Sequence, residues 1–242
     1  MANILEKLLA IPFARKERKK KLNLQTEQQS SERGENDIRL NANINAGINR
    51  ENIKTLELED FSDCINHISS EHLVLCIGDI TKFPGDAIVN AANTTLLGGG
   101  GVDGAIHWAA GYELYEECKT LGGCKTGAAK ITKGYNLKAK HIIHTVGPIY
   151  ESEIADQQAK VLESCYRESL NLARENDIHS IAFPCISTGV YGYPHDKAAE
   201  IAYDAVKKWQ SDNIDYKMEI VFVCFQKKDY DYYRRLYLDK SN

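Results

Sequence analysis

The sequence contains no apolar run approaching the ~18 residues that a membrane-spanning helix needs. It also has no CxxC pair, no Cys/His set at zinc spacing, no internal repeat and no excess of positive charge. Lys and Arg number 30 against 34 Asp and Glu, a net charge of −4, which argues against bulk attraction to nucleic acid. The balance is uneven. Residues 1–60 carry 11 basic and 10 acidic residues, and the rest of the chain carries 19 and 24. An acidic body that binds an anion must do so through backbone N–H groups and helix ends rather than a Lys/Arg patch. Seven cysteines (64, 76, 118, 124, 165, 185 and 224) sit mostly in apolar runs. An odd number in such places reads as buried thiols in a reducing compartment.

The 242 residues allow one or two domains with a sizeable core. Residues 1–60 read as an N-terminal extension and residues 61–242 as the folded domain. Within the extension, Ile4, Leu5, Leu8, Leu9, Ile11 and Phe13 have the spacing of a short amphipathic helix, followed by the basic run Arg15–Lys21. This is a helix that docks on the body, a solvated leader, or a membrane-surface, nuclear or mitochondrial address. Glu6, Glu17 and the lack of serine before Ser30 count against a transit peptide. The expected location is cytoplasmic or nuclear, with mitochondrial import as the alternative. Residues 22–55, rich in Asn, Gln, Ser and Glu, read as disordered linker, and residues 56–72 as a lead-in element.

From Leu73 the signals alternate. Strands are expected at Leu73–Ile77, Asp86–Asn93, Ala128–Thr132, His141–Val146, Ser180–Cys185 and Glu219–Phe225. Helices are expected at Asp103–Thr120, Asp156–Asn176, Pro194–Gln210 and Lys228–Asp239. Several strands are continuous apolar runs, as when helices cover both faces of a sheet. The alternation predicts a three-layer α/β/α sandwich on a mixed, largely parallel sheet. Ligands of such sheets lie beyond the strand C-termini.

Two loops stand at those ends. An apolar strand finishes near Asn90 and Asn93, four glycines follow (Gly98–Gly101), and Asp103 and His107 open a helical segment. Bare glycine backbone lets a ligand approach closely, and a helix N-terminus behind it favours an anion. The second loop, Ser187-Thr-Gly-Val-Tyr-Gly192, follows its own strand in the same way. Two phosphate cradles imply a ligand with two phosphates, or a phosphate and a sugar. Gly99–Gly104 also matches G-x-G-x-x-G. However, a dinucleotide fold wants an acidic residue about 20 positions on at a strand end, and Glu116 and Glu117 fall inside an expected helix.

Six motifs in one order across residues 73–238 carry a resemblance. They are Gly78-Asp-Ile-Thr81, Ile88-Val-Asn-Ala-Ala-Asn93, Leu97–His107, Gly122-Gly-Cys-Lys-Thr-Gly127, His144-Thr-Val-Gly-Pro148 and Ile186-Ser-Thr-Gly-Val-Tyr-Gly192. Together they resemble the macrodomain family, in its MacroD-type branch of mono-ADP-ribosyl hydrolases. Residues 1–60 are not covered. Pro84-Gly85 departs from the family pattern, and a looser approach to the following strand is expected there. A branch that binds zinc through Cys and His after the NAAN stretch differs from this chain, which is glycine-rich at that point. The resemblance therefore implies no metal and no cofactor.

The resemblance implies removal of mono-ADP-ribose from acidic residues of modified proteins and deacetylation of O-acetyl-ADP-ribose. The alternative is a module that reads ADP-ribose without turnover. Partners implied are ADP-ribose, O-acetyl-ADP-ribose and mono-ADP-ribosylated proteins, with a monomer expected. Asp79 either caps a turn or, by resemblance, accepts the adenine amino group beside Gly78 and the Ile80 backbone. Phe225 is either core or, by resemblance, the ring that stacks on adenine. Asn90 and Asn93 either fix the loop or face the distal ribose with Ala92, Gly99, Gly100, Gly101 and Val102. Ser187, Thr188, Gly189, Val190, Tyr191 and Gly192 cradle the diphosphate. Asp103 either caps a helix or lies at the distal ribose and is needed for hydrolysis. A helix N-terminus should lower its pKa, which favours positioning the substrate and orienting a water over accepting its proton, with the ligand's own phosphate as the alternative proton acceptor. His107, at i+4 from Asp103, shares its helix face and orients Asp103 or the loop.

Overall fold

The computed structural model describes residue 61, residues 64–70 and residues 72–240. The leader and linker expected for residues 1–60 lie outside these. Among these described residues, seven strands and five α-helices follow in the order β1 (Ile65–Ser70), β2 (Leu73–Ile77), β3 (Ala87–Ala92), α1 (Gly101–Ala110), α2 (Tyr112–Thr120), β4 (Ala129–Lys133), β5 (His141–Val146), α3 (Ala155–Glu175), β6 (Ser180–Phe183), α4 (His195–Asp212), β7 (Glu219–Cys224) and α5 (Lys227–Lys240). The strands form one sheet in the order β1-β2-β7-β6-β3-β5-β4. The four central pairings, β2–β7, β7–β6, β6–β3 and β3–β5, are parallel, and the two edge pairings are antiparallel. The mixed, largely parallel sandwich is the architecture that the alternation of signals predicts.

The period of two along each strand divides the core into two layers. Leu73 and Leu75 of β2, Val89 of β3 and Phe222 of β7 face α3, α4 and α5, where they join Leu162, Tyr166 and Val206. Val74 and Cys76, Ile88, Val221 and Val223 face the other way, with Ile106 of α1 and Leu114 of α2. Both faces of each inner strand are therefore dry, which is why these segments read as unbroken apolar runs.

Two expectations are corrected. Residues 103–120 are not one helix. Gly111 adopts φ +94° and separates α1 from α2. A side chain there would be strained, and its Cβ would also meet Asn136 Nδ2 at 2.6 Å. Nor is the approach to β3 loose. A Cβ on Gly85 would meet Ser180 Oγ at 2.7 Å. Asp86 is pinned beside it: its N–H donates to Ser180 Oγ, and its Oδ2 accepts from the N–H groups of His179 and Ser180 and from Ser180 Oγ. Glycine serves here as a tight fit rather than a hinge.

Candidate functional site

Because β2, β7, β6 and β3 are neighbours and run in parallel, their C-terminal ends share one edge. The loops after them carry the candidate residues in the same spatial order: Gly78, Asp79 and Ile80 after β2, Phe225 after β7, residues 187–192 after β6, and Asn93 to Gly101 after β3. With strands about 4.8 Å apart, three spacings cover roughly 14 Å. Residues far apart in sequence thus become a linear series along one rim, at the position where open α/β sheets hold ligands.

At the β2 end, Asp79 caps a short 3-10 turn, as one reading of the sequence proposes. Its Oδ1 accepts from Thr81 N–H at 3.0 Å and Thr81 Oγ1 at 2.8 Å. Both bonds fall on one oxygen. Gly78 N–H ties the turn to Cys224 O at 3.0 Å, beside Phe225. Phe225 stands just past β7 and is 82% exposed, so it is not a core ring.

The loop after β6 is strained where it turns. Ser187 has φ +66°, an uncommon conformation for a residue with a Cβ. Its side chain is buried against Gly147, and its Oγ lacks a hydrogen-bond partner among the described residues. Thr188 Oγ1 donates to Cys185 O at 2.9 Å, Gly192 N–H to Gly189 O and Tyr193 N–H to Ser187 O. The loop's internal bonds use the N–H groups of residues 192 and 193 and none from 188–191 among the described residues. Gly189 and Val190 are exposed, and Tyr191 is half-buried. Val190 and Phe225 are two large apolar side chains left uncovered on the same rim.

At the β3 end a buried polar chain underlies the glycine loop. Asn90 is inside β3 rather than at its end, and it is completely buried. Its Nδ2 donates to Asp103 Oδ1 at 2.8 Å and faces His144 Nδ1 at 3.1 Å. An amide nitrogen can only donate, so His144 Nδ1 accepts and the ring proton sits on Nε2. Nε2 then donates to Thr132 Oγ1 at 2.9 Å. Both hydrogens of the Asn90 amide are thereby fixed in direction, and its Oδ1 is a buried acceptor with no partner among the described residues. Ala92 is buried beside it, and Val102 is half-buried.

Asp103 is not the helix cap. Gly100 occupies that position without a side-chain bond, and Asp103 sits in the first turn, buried. Its pKa is corrected too. Burial pushes the carboxyl above the usual carboxylate range, and the Asn90 amide and His107 oppose this without reversing it. The helix end therefore loses to desolvation, and Asp103 is a better proton acceptor than a surface carboxylate. His107 Nε2 lies 3.5 Å from Asp103 Oδ1. Burial holds this imidazole below its ordinary pKa despite Asp103, so it is neutral at neutral pH. His144 is pushed down to about 3, chiefly by burial and then by His107, which keeps it an uncharged acceptor.

Asn93 orders the loop, as one reading of the sequence has it. Its Oδ1 accepts from Thr95 N–H and Oγ1, and its Nδ2 donates to Gly98 O at 2.9 Å. A Cβ on Gly99 would meet Asp103 Oδ2 at 2.9 Å, and a Cβ on Gly104 would meet Gly99 O at 2.5 Å. Loop and helix thus touch through bare backbone, which is why these positions hold glycine. Gly100 and Gly101 are exposed, and a Cβ on either would meet nothing within 4 Å.

The sequence reading gives His144 and Thr132 no role, although His144 opens one of the motifs. The available signal was a histidine inside the strand His-Ile-Ile-His-Thr-Val. Folding also assembles a group that linear spacing concealed: donor atoms of His107, Cys118 and His144 lie within 4.8 Å of one another. Cys118 Sγ is 3.8 Å from His144 Nε2, and burial pushes its thiol up to about 11. Both His144 nitrogens already have partners, whereas His107 Nε2 has no hydrogen-bond partner among the described residues. Among the described residues no helix is long and apolar enough to cross a membrane, and all seven cysteines are free.

The Macro domain family model matches residues 89–202. The ADP-ribose glycohydrolase MACROD2 of Xenopus laevis is 56% identical over 158 residues, which are 65% of this chain and 38% of that protein. The chain thus spans less than half the length of that relative. A Macro domain-containing protein of Mesorhizobium japonicum is 56% identical over 158 residues, 65% of this chain and 89% of its own. The crystal structure of the Trypanosoma brucei macrodomain in complex with ADP-ribose superposes with a TM-score of 0.65 at 46% identity, covering 69% of each chain. By fold, by the order of its site loops and by sequence, this chain belongs to the macro domain family.

Proposed function

We propose that this protein binds ADP-ribose along the C-terminal rim of its sheet and hydrolyses acyl esters of the distal ribose. Such a hydrolase would remove mono-ADP-ribose from acidic side chains of modified proteins and deacetylate O-acetyl-ADP-ribose. The observation that carries the reading is the spatial order of the loops. A carboxylate and an exposed ring stand at one end, a strained loop with free N–H groups in the middle, and a buried carboxylate under bare glycine backbone at the other. That order fits a ligand that runs base, diphosphate, sugar. The naming of the MACROD2 relative as an ADP-ribose glycohydrolase and the ADP-ribose bound to the Trypanosoma macrodomain support it.

In this reading the free oxygen of Asp79 accepts the adenine amino group beside the Ile80 backbone, and Phe225 stacks on the base. Backbone N–H groups of residues 188–191 hold the diphosphate, and Tyr191 closes over the ribose. Asn90 Oδ1, the Gly99–Gly101 backbone and Val102 meet the distal ribose. Asn93 holds that loop in shape. Asp103 orients a water and takes its proton as the water adds to the ester carbonyl. The ester C–O bond then breaks, the acyl group leaves as a carboxylic acid, and the ribose oxygen recovers a proton. The raised pKa of Asp103, set by its burial, makes it a stronger base than an exposed carboxylate. His107, neutral, flanks Asp103 at 3.5 Å without a hydrogen bond and positions it by packing.

The test is release of ADP-ribose from a glutamate-linked mono-ADP-ribosylated protein by the parent and by Asp103→Ala, with free ADP-ribose affinity measured for both. Turnover lost in the variant while binding survives supports the hydrolase. Tight binding by the parent without release would make the protein a reader.

A further inference from the structure

Beside the glycine loop the surface is aromatic. Trp108 is 90% exposed and Tyr112 70% exposed, and the Tyr112 and Tyr115 rings stack with centroids 5.7 Å apart. With Leu97 they line an open cleft of about 640 Å³ whose other walls are Gly98, Gly99, Gly104, His107 and Gly111. The aromatics are not an accident of one helix. Asp103 and His107 form one row along α1. The next row, about 100° around the helix, is Gly104 and Trp108. Gly104 has no side chain, so the Gly99 carbonyl rests on it and brings the loop up to Trp108. The positive-φ break at Gly111 then turns the chain, and Tyr112 opens α2 in the same cleft as Trp108. At the rim, Lys119 lies over the Tyr115 ring at 5.5 Å and pairs with Glu116 at 3.2 Å. An apolar aromatic centre with a charged border is the anatomy of a protein-binding patch.

We propose that this shelf binds the polypeptide that carries the ADP-ribose, at the residues flanking the modified side chain. The inference rests on the proposed function, since it takes the distal ribose to lie at Asp103 and the glycine loop. The acyl link is on that ribose, so whatever is attached to it leaves the site past the loop. The cleft shares Gly98 and Gly99 with the loop and His107 with the helix row that carries Asp103, and begins where the ribose would end. An extended segment laid on Trp108 and Tyr112 would turn an ester hydrolase into one that prefers protein-linked ADP-ribose over the small O-acetyl ester.

The experiment replaces both exposed rings, Trp108→Ala and Tyr112→Ala, which face solvent. Parent and variant are compared on two substrates, a glutamate-linked mono-ADP-ribosylated protein and O-acetyl-ADP-ribose. KM for the protein substrate should rise about tenfold or more, while deacetylation and free ADP-ribose affinity stay within about twofold. A second arm measures binding in the Asp103→Ala background, where the ADP-ribosylated polypeptide should bind more tightly than free ADP-ribose only while the rings are present. This arm decides the shelf even if the parent turns over neither substrate, an outcome that would overturn the hydrolase reading alone. Unchanged KM and binding for the protein substrate, or equal loss on both substrates, would overturn the shelf. So would a dimer that dissociates in the variant with no change on the protein substrate, because the rings would then serve self-association.

Discussion

The two ends of the ligand rim are built from different materials. Between β2 and β6 the groups that face solvent are backbone N–H groups, a turn-capping Asp79 and an exposed Phe225. Under the glycine loop after β3 the groups are buried side chains that fix one another: Asp103 to Asn90, Asn90 to His144 and His144 to Thr132. The first region offers shape and dipoles, which suit affinity. The second holds a carboxylate away from water with its pKa raised by burial, which suits chemistry. On the proposed function, recognition and reaction draw on different residues and should separate on mutation.

The largest separation is expected at Asp103. Asp103→Ala should lower ester hydrolysis by about 10²–10⁴ and leave ADP-ribose affinity within about threefold, read by single-turnover kinetics and calorimetry. Asp103→Asn should be as inactive, and full activity there would remove the need for charge. At the other end, Phe225→Ala should weaken ADP-ribose binding about 10- to 100-fold through lost stacking, with the rate at saturating substrate unchanged. A fall in that rate would show that the two ends are coupled.

His144 sharpens the comparison further. His144→Leu leaves an Asn90 amide hydrogen without an acceptor, at a cost of about 1–3 kcal/mol, and frees the amide to turn. The rate should fall about 10- to 100-fold while ADP-ribose affinity holds. His144→Asn, which places an amide oxygen near the Nδ1 position, should recover most of the rate.

The same histidine sets a pH dependence. Its pKa is pushed down from 6.5 to about 3 in the fold, so between these values the unfolded chain binds the proton and the folded one does not. Its contribution to stability is thus complete above pH 6.5 and lost as pH falls toward 3. Urea titrations across that window should show His144→Asn losing less stability on acidification than the parent.

The smallest effects separate two glycines. Gly104→Ala forces the Gly99 carbonyl off α1 and should cost activity several-fold or more. Gly189→Ala, whose Cβ would meet no protein atom within 4 Å, should melt like the parent, so any loss of affinity there reports the diphosphate cradle alone. Reversed results in paired melting and activity assays would mean that the glycine loop's seat on α1 is unimportant.

Much of this arrangement was legible in the chain. Leu73–Ile77 and His141–Val146 are strands with the bounds their sequence predicts, the first because a strand dry on both faces favours an apolar run, the second with His144 and Thr145 buried among its apolar residues. The Asn and glycine clusters marked both loops, since bare backbone at a strand end has few structural uses. Gly111 was harder to interpret, because helical spacing continues across it in Ile106, Ala110 and Leu114. Only the left-handed φ and the Asn136 contact explain the break. Asp103 was expected to be acidified by its helix end, and it was burial, a property of packing, that set the sign.

By itself, then, the sequence determined the alternation of strands and helices and the two glycine-containing loops at the strand ends, because propensity, periodicity and glycine's missing Cβ are local. Tertiary structure decided the order of the four loops along the rim, the His144–Asn90–Asp103 chain and the aromatic shelf. Those depend on which strands become neighbours and which groups lose water, and neither is a property of any short stretch of chain.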